Sequence, residues 1–120
     1  MTRARSHSAS PPTSVRAALA IAKGAGFTQA DLGRVVGASE RTVQSWSAPD
    51  GSQPTGVKLQ RLLDISVIVN LLHDVYTDEG VKIWLHSRNG NLDFKRPIDL
   101  LADGEHDRVL EEALSVAHAM

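Results

Sequence analysis

Five histidines and fourteen carboxylates supply most of the acid–base chemistry available to this 120-residue chain, which contains no cysteine. Without thiols there is no disulfide framework and no thiolate metal site, and a reducing, cytoplasmic setting is expected. The histidines stand at positions 7, 73, 86, 106 and 118, and two are followed directly by aspartate, in His73-Asp74 and His106-Asp107. Neighbours on a helix point about 100° apart, so neither pair forms a joint site alone. No His-x-x-x-His spacing supports a zinc helix, and the glycines lack the strand-then-helix setting of a phosphate loop. Neither an enzyme, a metal nor a cofactor is expected. The chemistry that stands out is of another kind. Ser39, Glu40, Arg41, Thr42, Gln44 and Ser45 interleave with apolar Val43 and Trp46. They form a hydrogen-bonding set suited to base edges and phosphates, carried on one short helix.

Positioning such a set takes two helices crossing over a very short turn. "TQADLGRVVGASERTVQSW", Thr28 to Trp46, has the required parts. Thr28 and Asp31 are spaced as a capping box, flanked by Phe27 and Leu32 as a hydrophobic staple. Leu32, Val35 and Val36 form a buried stripe. Gly33 is small where the helices approach, Gly37 permits a left-handed turn, and Ser39 caps the second helix.

The rest of the chain also reads as helices. Thr13 or Ser14 caps a first one bearing Val15, Ala18, Leu19 and Ala22, stopped at "GAG", Gly24 to Gly26. A long pattern runs from Val57 to about Tyr76, with Leu59, Leu62, Leu63, Val67 and Leu71 as its stripe. Ile65, Ile68, Val69 and Leu72 add apolar residues on other faces. A helix apolar nearly all round needs cover on several sides, and a second subunit is expected to supply part of it. Further helices carry Val81, Trp84 and Leu85, ending near Asn89-Gly90, then Pro97 to Ala102 with proline in the first turn. Gly104 separates these from a last helix with Val109, Leu110, Ala113, Leu114 and Ala117 inside. No strand is expected, and the longest apolar stretch is too short to cross a membrane. One domain, or two small ones sharing a core, is expected, organised as a disordered tail over 1–12, a helix-turn-helix and dimerisation region over 13–76, and a small helical unit over 77–120.

Charge is divided unevenly along the chain. Formal net charge is −1, but Met1 to Arg61 carries +5 and Leu62 to Met120 carries −6. One half suits a polyanion and the other a different partner.

The segment from about Val15 to Leu63 resembles the Xre/Cro-repressor class of helix-turn-helix. That resemblance implies that Gln29 donates to phosphate, that Glu40, Arg41 and Ser45 read bases, and that Ser39, Thr42 and Gln44 contact backbone or base edges. Glycine stands at position 33, where the class usually has alanine. Further along, Trp84-Leu85, Asn89, Leu92, Pro97, Leu100-Leu101, Gly104 and Val109 follow in the order of the C-terminal region of Xre/MbcA/ParS-like antitoxins. "DFKR" (Asp93 to Arg96) replaces a stretch often glycine-rich in that family, which allows the loop another shape. The resemblance implies an all-α fold in which an N-terminal helix-turn-helix bundle precedes a small toxin-binding unit. It implies a type II antitoxin that dimerises, represses its own operon at operator DNA, and blocks the active site of a RES-domain, NAD-degrading toxin. The residues assigned to the toxin are Trp84, Arg88, Asn89, Leu92, Pro97, Glu105, Asp107, Arg108, Glu111 and Glu112. The alternative is a stand-alone repressor whose C-terminal unit only dimerises or senses a ligand.

Overall fold

A computed structural model describes residues 14–119; the expected N-terminal tail and the Thr13 cap lie outside the described residues. Among the described residues seven α-helices follow one another: α1 Val15–Gly24, α2 Gln29–Val36, α3 Glu40–Ser45, α4 Gly56–His73, α5 Asp78–His86, α6 Pro97–Ala102 and α7 His106–His118. A single 3₁₀ turn, Gly90–Leu92, sits between α5 and α6. The fold is all-α; among the described residues the sole β-type pairing is an isolated bridge between Asn89 and Lys95.

Local chemistry sets the helix starts. The Ser14 hydroxyl accepts from the Ala17 amide at 3.0 Å. At α2 the Thr28 hydroxyl accepts from the Asp31 amide, and the Asp31 carboxylate accepts from the Thr28 amide, each at 3.0 Å. Two of the amide donors that a helix start leaves open are thereby satisfied. Pro97 opens α6, where its missing N–H costs nothing.

The helix-turn-helix depends on two glycines for different reasons. Gly37 adopts φ +84°, a left-handed conformation that disfavours any Cβ. Gly33 has no special dihedral; a Cβ there would lie 2.5 Å from the Ala38 carbonyl oxygen. The turn folds back onto α2 so closely that the Gly37 and Ala38 amides both donate to the Gly33 carbonyl at 2.9 Å. The alanine usual in the repressor class therefore does not fit this turn as it stands.

α4 is the central strut, packed by α1, α2, α5 and α7. Leu62, Ile65, Ile68, Val69, Leu71 and Leu72 are buried along it. One expectation is corrected: the innermost face bears Leu62, Ile65, Ile68, Val69 and Leu72, whereas Leu59, Leu63 and Val67 of the expected stripe are only half-buried. Part of the cover comes from the same chain, α1 and α7 both packing on α4. The helix also stops at His73 rather than Tyr76. Thr77 caps α5 from an extended backbone, so Val75 and Tyr76 must form the turn.

The C-terminal helices share a core with the N-terminal ones. α6 packs on α2 and α7 packs on α4, and one cluster of buried residues runs from Ala18 to Ala113. Val81 and Leu85 are fully buried on α5, but Trp84 is only half-buried, and Ile83 is exposed.

Candidate nucleic-acid and partner surfaces

On α3, packing of Val43 and Trp46 into the core leaves Glu40, Arg41 and Gln44 facing outward. The hydroxyls assigned to DNA are already engaged. Ser39 Oγ accepts from the Thr42 amide at 3.1 Å and donates to Thr42 Oγ1 at 2.9 Å. Ser45 Oγ donates to the Thr42 carbonyl at 2.7 Å and shares a second bond with Ser52. A hydroxyl has one proton to give, so Ser39 and Ser45 have no donor left for a base. Among the described residues, Arg41 and Gln44 make no side-chain hydrogen bond and lie three positions apart, on one face of α3. Gln29 is half-buried in the first turn of α2.

The second candidate surface is the loop from Ser87 to Arg96 with the start of α7. It is tied together at many points. Asn89 Oδ1 accepts from the Asn91 amide at 2.9 Å, and the Asn89 amide donates to the Lys95 carbonyl at 3.1 Å. Arg88 donates to the Phe94 carbonyl at 3.1 Å. Arg108 reaches back from α7 to Asp93 at 3.0 Å, and Asn91 donates to Glu112 at 2.9 Å. Leu92 and Pro97 are buried, so they anchor the loop from beneath. Of the residues assigned to the toxin, Arg88, Asn89, Arg108 and Glu112 thus brace the loop. Glu105, Asp107 and Glu111 are exposed on or just before α7, and Trp84 is half-exposed on α5.

"DFKR" keeps a glycine-like backbone. Asp93 and Phe94 both lie in the left-handed region, at φ 59° and 61°. Such a conformation is uncommon for aspartate and rarer for a bulky residue, and costs roughly 1–3 kcal/mol per residue. The Phe94 side chain is 69% exposed. Phe94 was not among the residues singled out from the sequence. The signal was available: a lone aromatic where the antitoxin family often has glycine.

Two titratable sites sit at the seams between elements. Arg96 forms a fork on Asp99, at 2.8 and 2.9 Å, and Arg34 of α2 approaches the same carboxylate at 3.5 Å. The hydrogen bonds from Arg96, against an opposing effect of burial, hold the Asp99 carboxyl below its usual range. His106, in the first turn of α7, is 5% exposed, and its Nε2 has no hydrogen-bond partner among the described residues. Burial lowers its pKa and Arg61 adds to that, while Asp64, the Gly104 backbone and Asp107 oppose it. Among the described residues there is no cavity and no cluster of three metal-ligating side chains. No helix among them is long and apolar enough to cross a membrane.

Comparison with known proteins places this arrangement. No protein-family model matches the chain. The mycobacterial cidal antitoxin MbcA of Mycobacterium tuberculosis is 34% identical over 85 residues, covering 71% of this chain and 74% of the relative. A probable mycobacterial cidal antitoxin of the same species is 39% identical over 90 residues, covering 75% and 76%. A chain in the crystal structure of the M. tuberculosis MbcT–MbcA toxin–antitoxin complex superposes with a TM-score of 0.74 at 28% identity, covering 91% of this chain and 97% of that one. With identity above 30% across most of both sequences, and a similar helical fold, this chain belongs to the MbcA family of mycobacterial cidal antitoxins.

Proposed function

We propose that this chain neutralises a RES-domain, NAD-degrading toxin by occupying the toxin's active site with its C-terminal half, and that it represses the operon encoding the pair. The antitoxin role follows from the family. The finer reading rests mainly on one observation: the loop Ser87 to Arg96 is cross-linked to α7, and Glu105, Asp107 and Glu111 stand exposed beside it. A rigid acidic face suits a pocket that holds a pyrophosphate by positive charge, because complementary potentials steer encounter and fix register. A cytoplasmic setting and self-association complete the reading. Leu59, Leu63 and Val67, half-buried and spaced four apart along one face of α4, offer an apolar strip for a second copy.

Co-expression with a RES-domain protein encoded beside it tests the proposal. The two proteins should co-purify, and cells expressing the toxin should keep their NAD when this chain is present. Separate elution together with continued NAD loss would remove the proposal.

The alternative, a repressor acting without a toxin, draws on the outward-facing Arg41 and Gln44 of α3. It predicts specific promoter binding by this chain alone and no protection from the toxin.

A further inference from the structure

The chain has two phenylalanines, and the fold treats them oppositely. Phe27 is 3% exposed in the core, while Phe94 is 69% exposed on the loop before α6. An exposed aromatic alone says little. This one stands on a left-handed backbone beside a second left-handed residue, Asp93. Both are held there by contacts within the loop and by one from α7. Arg88 grips the Phe94 carbonyl, the Phe94 amide donates to the Asn89 carbonyl at 2.9 Å, and Arg108 of α7 grips Asp93. The ring edge lies beside Gly90, at an ordinary van der Waals distance of 3.6 Å from where a Cβ would sit. Bonds within the loop and one from α7 fix the backbone that presents this aromatic side chain to solvent.

We propose that Phe94 is the aromatic anchor by which this antitoxin docks into an apolar socket on its toxin, a proposal that rests on the antitoxin reading above. Aromatic residues dominate binding hot spots when they enter desolvated pockets, and a side chain already held in place loses little freedom on binding. The surroundings favour a protein occupant. Arg88, Lys95 and Arg96 carry positive charge along the loop and Asp93, Glu111 and Glu112 negative charge, the mixed polar rim of a protein interface. A polyanion would meet the acidic half of the chain, which carries −6. The proposal adds a residue that charge alone does not identify and assigns it a role separate from bracing.

The decisive variant is Phe94→Gly, in the full chain, with the RES-domain protein encoded beside it as probe. Glycine accepts the left-handed backbone without strain, so the variant should melt at or above the wild-type temperature. Its affinity for the toxin should nevertheless fall at least thirty-fold, on the order of a hot-spot loss. Phe94→Leu should recover part of that affinity. Wild-type affinity in Phe94→Gly overturns the anchor while leaving the antitoxin reading intact. A wild-type chain that fails to bind the toxin at all overturns both. Loss of self-association with toxin affinity unchanged would assign Phe94 to a second copy of the chain and likewise overturn the proposal.

Discussion

Arg34 on α2 and Asp99 on α6 approach to 3.5 Å, an ion pair that joins the helix-turn-helix to the acidic half of the chain. Arg96 shares the same carboxylate through its fork. The cation-rich and anion-rich halves therefore meet at one carboxylate as well as in one core.

The Asp99 network should contribute modestly to stability. Arg34 and Asp99 side chains are 52% and 39% exposed, so solvent screens the pair. Asp99→Ala should cost about 1 kcal/mol or less at pH 7, and less at high salt. The carboxyl is held below its usual range in the folded state. Its contribution is present above the ordinary aspartate value of about 4 and is lost as pH falls through the lower folded value. Urea denaturation of wild type and Asp99→Ala at pH 7 and pH 3 should show the difference shrinking at the lower pH.

His106 should make the fold acid-sensitive in a higher window. Its folded pKa is depressed, chiefly by burial, so the unfolded chain binds its proton more readily. Stability is then full above the ordinary histidine value, about 6.5, and falls as pH drops below it until the folded group also protonates. His106→Leu should flatten this part of the stability curve. Thermal melts from pH 7.5 to pH 5 check it; an unchanged slope in the variant would assign the sensitivity to another group.

Gly33→Ala should destabilise despite alanine's better helix propensity. The propensity gain is about 1 kcal/mol. Against it stands a contact of 2.5 Å with a backbone oxygen that cannot rotate away. Overpacking of this kind costs roughly 1–3 kcal/mol. A net loss is expected in the unfolding midpoint, together with weaker promoter binding as the α2–α3 turn shifts.

Arg41→Ala should separate the two surfaces. If Arg41 makes a bidentate base contact, its removal weakens the specific site by about 1–3 kcal/mol. Toxin binding should be unaffected, since Arg41 lies on α3, away from the loop and α7. A gel shift on the operon's promoter and on scrambled DNA, beside a toxin pull-down, reads both.

The acidic face of α7 is best probed by charge reversal. Removing the chain from Glu105 onward would strip α4 of the cover provided by Val109 and Ala113, so loss of protection would report unfolding. Reversing Glu112 would also break its bond to Asn91. Asp107→Lys with Glu111→Lys touches exposed positions alone. The double variant should keep its melting temperature within a few degrees, because surface changes usually stay within about 0.5 kcal/mol each. Its association rate with the toxin should drop, most clearly at low salt.

What could be read without the fold was chemistry between near neighbours. Ser14, Thr28 with Asp31, Ser39, Gly37 and Pro97 each act across no more than four residues, so their types and spacing specify the helix ends directly. The family order from Trp84 to Val109 was legible as well. The face of α4 that lies innermost was not, because a helix apolar nearly all round carries no periodic signal to choose among its sides. That choice belonged to α1 and α7, which pack on α4 and leave Ile65, Ile68, Val69 and Leu72 buried. Contacts such as Arg34 to Asp99 and Asn91 to Glu112 join residues from different helices, and only the packed core brings them together. Phe94 follows the same rule. Its residue type suggests burial, and the bond from Arg88 to its carbonyl, with Arg108 of α7 holding the neighbouring Asp93, instead fixes the loop so that the ring faces outward.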